Sequence, residues 1–385
     1  MGNVALAAKA LCEGLEIPYV VPEENNKKTL LTGSYYSPEE ICLPFKLMLG
    51  NLIHSIEKGA DTVLTTGSCG PCRFGEYCEL QMKILRNIGY RDLNFIVADL
   101  SSEIGFKEFS RRIGKISSAS PASRFKQIKA LQNAYKVVSL CDKIDAEAHY
   151  LAGFEANRGQ CKRLLSQYKA EALQLRSPDE TLRLLRSYRD QLKRIEIDRD
   201  KNPLKVSIIG EIFTVIEPFS NLYIEEKLMD YGVSSTRLLS PSWWVRDTML
   251  KPLKLNSPAL NRAASRYLPF SVGGHGRECV GEAVLAKEHR MDGAIQIFPL
   301  GCMPEVIAKS VLPTIRRELD LPVMTLVVDE ITGEAGYVTR IEAFVDMLEA
   351  KKRQSAGAGY KTIRPEKKQN TSRRPKHSEA ENPAF

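Results

Sequence analysis

The sequence predicts an α/β protein with mainly parallel sheets, organised as two α/β units joined by a helical segment. Short apolar runs alternate with helical patterns near both ends of the chain, and such alternation winds into parallel sheets covered by helices. Between the two regions the strand-like runs stop and long, charge-laced helical patterns take over. The 385 residues leave room for two domains of about 150 residues each.

The first region covers residues 1–120. Its expected strands are IPYVVP (17–22), DTVLTTG (61–67) and NFIVADL (94–100), each preceded by a helical pattern: LAAKALCEG, PFKLMLGNLIHSIEKG and CELQMKILRNIG. Gly59 and Gly89 stand where the second and third of these helices should stop, because glycine takes the left-handed conformation of a helix C-terminus at little cost. Residues 121–200 read as a helical connector or cover. There Ser177-Pro178-Asp179-Glu180 combines a capping serine, a proline suited to the first turn and two acidic residues, and so marks a helix start. Strands return at 205–210, 236–240, 293–299 and 322–329 with helices between them, which makes 201–350 a second α/β unit.

Composition narrows the class. The chain is 43% apolar and 26% charged, the profile of a core-forming protein. No window approaches the length of apolar sequence that a membrane span needs, and the first twenty residues carry Lys9, Glu13 and Glu16 where a secretion signal needs an apolar run. A cytoplasmic protein is expected. The net charge of +8 is local: residues 351–385 hold ten Lys/Arg against three Asp/Glu, which leaves the body near +1. That tail is expected to be disordered, since it has too few apolar residues to order itself, and the body gives no ground for a nucleic-acid partner.

Nine cysteines, at 12, 42, 69, 72, 78, 141, 161, 279 and 302, are an odd number in a chain without an export signal, so metal ligation or redox use fits better than a disulfide framework. Their positions matter more than their number. Ligands of open α/β sheets bind beyond the carboxyl ends of the strands, and Ser68-Cys69-Gly70-Pro71-Cys72 follows the strand expected at 61–67, while Leu300-Gly301-Cys302 follows that at 293–299. Cys42 stands at a helix start and Cys279 follows the turn Gly273-Gly274-His275-Gly276-Arg277. Residues 69–78 alone hold three cysteines among glycine and proline, a loop able to wrap its backbone N–H groups around cluster sulfides. An iron–sulfur cluster is the preferred reading. A structural zinc site, thiol–disulfide exchange by Cys69-Gly70-Pro71-Cys72, and ordinary buried cysteines are the alternatives. Cys12, Cys141 and Cys161 lie in helical patterns and read as packing residues.

In these residues the chain resembles the 2-hydroxyacyl-CoA dehydratase D-component-like proteins, especially their activase-related branch. The resemblance rests on Cys42-Leu43-Pro44-Phe45-Lys46, Thr66-Gly67-Ser68-Cys69-Gly70-Pro71-Cys72-Arg73-Phe74-Gly75, Gly210-Glu211-Ile212-Phe213, Pro299-Leu300-Gly301-Cys302-Met303-Pro304-Glu305 and Asp329-Glu330-Ile331-Thr332-Gly333-Glu334-Ala335-Gly336. It implies two Rossmann-like (flavodoxin-like) domains facing one another across a 4Fe-4S cluster. Cys42, Cys302 and one or both of Cys69 and Cys72 would be its ligands. With Cys78 and Cys279 added, the six thiols would suit a double-cubane cluster. The implied partner is an ATP-hydrolysing activator with its own cluster, which injects a low-potential electron for reduction or dehydration of a small molecule or acyl-CoA, within a homo- or hetero-oligomer. This chain has no Gly-x-x-x-x-Gly-Lys-Ser/Thr loop and would be the electron acceptor. The family's first strand is shortened or absent at Met1-Gly2-Asn3. A non-catalytic cluster carrier and a zinc-stabilised interaction protein are the alternative functions.

Three further side chains carry a chemical reading. Glu330 and Glu334 follow an apolar strand and suit a proton relay at the cleft, against the plainer reading that Glu334 or Thr332 caps the next helix and that Arg340 pairs with one of these acids. His275, in its glycine-rich turn, suits a polar contact to substrate, against ordinary turn chemistry. Trp243-Trp244 reads as packing between domains, against covering a cleft or lining an acyl pocket.

Overall fold

The computed structural model describes residues 2–67, 72–98, 105–251 and 255–358. The chain opens with α1 (Val4–Leu15) and no strand precedes it among the described residues. Residues 17–22, expected as a strand, form none. Pro18 and Pro22 bracket the run and remove two of the N–H donors a ladder needs. Next come α2 (Lys27–Tyr36), which the sequence did not announce, and α3 (Leu43–Glu57). Two glycines explain α2: a Cβ on Gly33 would stand 1.7 Å from the Lys46 carbonyl oxygen, and one on Gly50 would stand 2.0 Å from that of Thr29. The two backbones therefore touch. This packing stabilises a helix whose sequence, KKTLLTGSYY, has no apolar stripe of its own.

Gly59 ends α3 as expected, with φ +97° and with Gly59 N–H donating to Ile56 at 2.8 Å and Ala60 N–H to Ser55 at 3.1 Å, the paired bonds of a left-handed stop. Then follow β1 (Thr62–Thr66), a 3-10 turn (Arg73–Glu76), α4 (Tyr77–Asn87) and β2 (Asn94–Ala98). Gly89 ends α4 the same way, at φ +108°. β1 and β2 pair in parallel, Thr62 opposite Asn94 through Thr66 opposite Ala98. Residues 99–100 of the strand expected at 94–100 lie outside the described residues.

The helical segment is α5 (Gly105–Ala119), α6 (Arg124–Leu151), α7 (Gln160–Gln174) and α8 (Pro178–Leu192). Ser177 is the N-cap residue of α8 with Pro178 in the first turn, as expected. Val137, Ile144, Leu165, Tyr168, Leu185 and Leu192 form its core, joined by Leu6 and Ala10 of α1. The first helix, grouped by sequence with the first α/β unit, thus packs on α6 and α8. Cys141 and Cys161 are wholly buried in this core, in keeping with a packing role.

The second sheet contains β3 (Lys205–Gly210), β4 (Ser234–Thr236), β5 (Gly293–Pro299) and β6 (Val323–Val328), in the order β4-β3-β5-β6 and parallel throughout. Helices α9 (Ile212–Ile216) and α10 (Ile224–Asp230) follow β3, while α11 (Pro241–Leu250), α12 (Pro258–Ala264) and α13 (Gly276–Glu288) follow β4. α14 (Met303–Leu319) follows β5 and α15 (Glu334–Ala358) follows β6. β5 is buried at every position, as a central parallel strand should be. β4 is shorter and earlier than the expected 236–240, because the chain turns out of the sheet after Thr236: Arg237 pairs with Glu225 at 2.9 Å and Leu238 N–H turns to Glu282 at 3.2 Å. Residues 351–358, expected to be disordered, continue α15, with Lys351 on Asp320 at 2.6 Å and Lys352 on Asp292 at 3.0 Å. The rest of the tail, 359–385, lies outside the described residues.

α3 joins the two α/β units. Leu43 and Leu47 belong to the core on one face of the second sheet, whereas Phe45, Leu49 and Ile53 pack with Tyr77 and Leu85 of α4. Lys46, itself buried, pairs with Glu330 after β6. The N-terminus of α3 is thereby fixed against the carboxyl ends of the second sheet. No helix among the described residues is long and apolar enough to cross a membrane.

Candidate metal centre

In the order β4-β3-β5-β6 the chain leaves β3 to one side for β4 and returns to its other side for β5, so the gap between the ends of β3 and β5 is the switch point at which such sheets bind ligands. Glu211 follows β3 and Cys302 follows β5. Gly210 at φ +134° permits the approach: a Cβ there would stand 2.0 Å from the Ile297 carbonyl oxygen, and Glu211 N–H donates to that oxygen at 3.0 Å.

Three cysteines come to this gap from three loops, and each is the N-cap residue of a helical element: Cys42 of α3, Cys72 of the 3-10 turn and Cys302 of α14. Glu211 is the charged neighbour common to all three; Cys72 also lies within electrostatic reach of Cys42, and Cys302 within that of Cys72. Helix starts present unpaired N–H groups and a positive dipole end, which favour thiolates. The N–H groups of Phe74 and Glu305 lie beside the sulfurs of Cys72 and Cys302 and favour their anions.

Burial works the other way. It raises all three thiols above their ordinary value, Cys302 furthest, with the Glu211 and Glu305 charges adding to the effect there. At Cys42 a hydrogen bond with the Tyr77 hydroxyl and the nearby Arg73 cation partly offset burial. A metal cation would reverse the balance, since coordination deprotonates a thiol outright. Glu211 is raised by burial, and N–H donors from Phe213 at 2.9 Å and Thr214 at 2.8 Å oppose the shift.

The donors fit an iron–sulfur cluster in chemistry: several thiols, backbone N–H groups aimed at sulfur, and glycines where the backbone closes in. A Cβ on Gly274 would meet the Cys72 sulfur at 3.7 Å and Pro304 at 3.0 Å. Among the described residues no three His, Cys, Asp or Glu side chains are grouped closely enough to hold a single metal ion. None of the described cysteines is in a disulfide.

The remaining expected site residues are dispersed. Cys69 lies outside the described residues. Cys78, in α4, is buried with Glu79 and Arg112 as its charged neighbours, because its position on the helix turns it from the gap that Cys72 faces. Cys279 is fully buried in the core behind the second sheet with Val280, Ala283 and Leu312, beside Glu305 and Glu282. Glu330 is committed to the Lys46 ion pair. Glu334 lies in the first turn of α15 and pairs with Lys227 at 2.7 Å, two-thirds exposed, which is a surface role. Arg340 donates to the Thr325 carbonyl at 2.6 Å and to neither acid.

His275 lies in the turn before α13. It is the N-cap residue of α13 with its ring 6.0 Å from that of Trp243, and burial, aided by the Lys251 charge, holds it down at about 4. It is therefore neutral near pH 7. The adjoining glycine turn lies against α14, since a Cβ on Gly276 would stand 2.4 Å from the Pro304 carbonyl oxygen. Trp243 packs with Leu239 and Leu260 inside the second unit, with Trp244 against them, and the contact to α6 is made by Ser242, whose N–H donates to Asp142 at 2.8 Å.

Reading the sequence for cysteines passed over Glu211, Arg73 and Glu305 as site residues. Glu211 follows a strand directly, the same signal that singled out Cys302. Glu305 is buried, accepts from Gln296 at 3.0 Å, and is pushed up by burial to about 7; nothing in its local sequence distinguishes it from a helix-start acid. Comparison with known protein families and with curated proteins returns no match to this chain.

Proposed function

We propose that this chain is an iron–sulfur protein of the 2-hydroxyacyl-CoA dehydratase D-component-like kind. Cys42, Cys72 and Cys302 would hold the cluster, with Cys69 as the further candidate ligand. Its role would be to accept a low-potential electron from an ATP-hydrolysing activator for reduction or dehydration of a small molecule. The observation that carries this reading is the meeting of three thiols, each at a helix start, at the switch point between β3 and β5. When bound, a 4Fe-4S cluster supplies a low-potential electron store and, where one iron lacks a protein ligand, a Lewis acid for a substrate oxygen.

The chain's own residues prepare that chemistry. N–H groups of Phe74 and Glu305 favour the thiolate form of Cys72 and Cys302, and the Tyr77 hydroxyl orients the Cys42 sulfur. Glu211, beside these thiols, caps α9 by accepting from the Phe213 and Thr214 N–H groups, which oppose the rise that burial causes. Cys78 and Cys279 point elsewhere, which favours one cubane over two.

The test is anaerobic purification and reconstitution, with iron, acid-labile sulfide and zinc measured per chain. About four irons are expected, lost on Cys42→Ser, Cys72→Ser or Cys302→Ser and kept on Cys78→Ser. About eight irons that depend on Cys78 would replace the single cubane by the double one. Stoichiometric zinc with no iron would sink the redox reading and leave a structural metal protein.

A further inference from the structure

One side chain reaches the loops of all three thiols. Arg73 leaves the chain directly after Cys72. Its Nη1 donates to the Glu40 carbonyl, two residues before Cys42, at 3.0 Å, and its Nη2 donates to the Gly301 carbonyl, one residue before Cys302, at 2.7 Å. The loop before Cys302 makes room for it: Gly301 has φ +74°, and a Cβ there would stand 2.9 Å from Nη2. The contact crosses between the two α/β units, since Glu40 precedes α3 and Gly301 follows β5.

A guanidinium suits this task for a geometric reason. Its rigid planar fork presents separate nitrogens to two carbonyls at once, whereas a lysine offers one compact ammonium on a flexible stem. The alternative role, a plain charge effect on the thiols, needs only a cation nearby and is met by either residue.

We propose that Arg73 is a positioning residue whose bridge between the Glu40 and Gly301 carbonyls sets the spacing of the Cys42, Cys72 and Cys302 thiols, and so makes cluster retention depend on the register of the two α/β units. The retention half of this statement rests on the cluster reading above. The spacing half does not.

The experiment uses full-length protein without metal, kept reduced and free of oxygen, and a series of thiol cross-linkers of graded span. Peptide mass spectrometry reads the yield of Cys72–Cys302 and Cys42–Cys72 links. In the unmodified chain one span should dominate. Arg73→Ala should lower the yield at that span about tenfold, the order expected from losing two hydrogen bonds, and spread reaction over other spans. Arg73→Lys should behave like Arg73→Ala, and Gly301→Ala should reproduce the effect by displacing the guanidinium. Free guanidinium at low concentration should restore the Arg73→Ala profile. Thermal midpoints taken alongside show that each variant is folded, and Arg73→Lys serves if the alanine variant is not.

Unchanged cross-linking in Arg73→Ala would overturn the proposal. Full rescue by Arg73→Lys would overturn the bridge in favour of charge alone. Reconstitution separates the two levels: a parent chain that takes up no iron defeats the cluster reading while the cross-links still judge the clasp. Equal iron retention and equal visible spectra in parent and Arg73→Ala defeat the retention half by itself.

Discussion

At the scale of single residues, the candidate site is built from groups that each have one dominant physical constraint. Lys46 is the clearest: only 2% of its side chain is exposed, and its ammonium is shared between Glu330 and the Glu39 carbonyl at 2.9 Å. A buried cation left unpaired is costly. Glu330→Ala should therefore destabilise the protein by about 3 kcal/mol, while Lys46→Met, which removes the buried charge and keeps most of the packing, should cost less, about 1 kcal/mol. Urea unfolding of both variants checks the order, and the reverse order would mean that the pair is solvated. The proton-relay reading of Glu330 was legible as a position after a strand. Its real partner lies 284 residues away, and no local pattern reveals such a pair.

At the scale of elements, α2 and α3 illustrate how backbone contact outweighs propensity. Alanine is the better helix former by about 1 kcal/mol, yet Gly33→Ala would drive a methyl into the Lys46 carbonyl, 1.7 Å from the position of the new carbon. Net destabilisation of about 3 kcal/mol is expected, with α3 and Cys42 shifted together. Gly114 in α5 is the contrast: nothing lies within 4 Å of an added Cβ, so Gly114→Ala should stabilise by about 0.5–1 kcal/mol. Thermal or urea unfolding of the two variants distinguishes them by sign. The start of α8 and the stops after α3 and α4 were readable from Ser177-Pro178, Gly59 and Gly89, because caps are decided by residues within one turn. The strand expected at 17–22 failed because apolar character alone supplies no neighbour to pair with.

At the scale of the whole molecule, a buried charge network ties the helical layer to the second α/β unit. Asp145 of α6 accepts from the Tyr168 hydroxyl at 2.5 Å and from the Asn3 amide at 2.8 Å. Glu225 of α10 meets Arg237 at 2.9 Å and His149 of α6 at 3.1 Å. Burial alone would raise both carboxyls. The fixed positive charges outweigh it, Lys169 and Arg237 for Asp145 and Arg237 for Glu225, and both are held below their ordinary values. A carboxyl lowered in the folded state binds protons more readily when unfolded, so its contribution is full above the ordinary carboxylate range, near 4.5 for Glu225, and is lost as pH falls through and below that range. Stability measured by urea unfolding should accordingly drop from pH 6 to pH 3, an interval of about 3 units that spans the carboxylate range. Glu225→Gln should be less stable at pH 6 and should flatten the drop. An unaltered pH profile in that variant would show that the network does not control acid unfolding.

The sequence by itself determined the class of architecture, the strands at 205–210 and 293–299 to the residue, and the attention due to Cys42, Cys72 and Cys302. These depend on short-range information: apolar runs of strand length, glycine stops, and a polar residue placed just after a strand. Tertiary structure alone decided which cysteines meet. Cys72 and Cys78 are near neighbours in sequence, yet the 3-10 turn and α4 between them send one to the switch point and the other to a buried helix face. Cys279 followed a turn as suggestive as that before Cys302, but its helix packs it into the core. Glu211 and Arg73 gained their places only once β3, β5 and α3 had been brought together, because a site assembled from separate loops is specified by long-range packing.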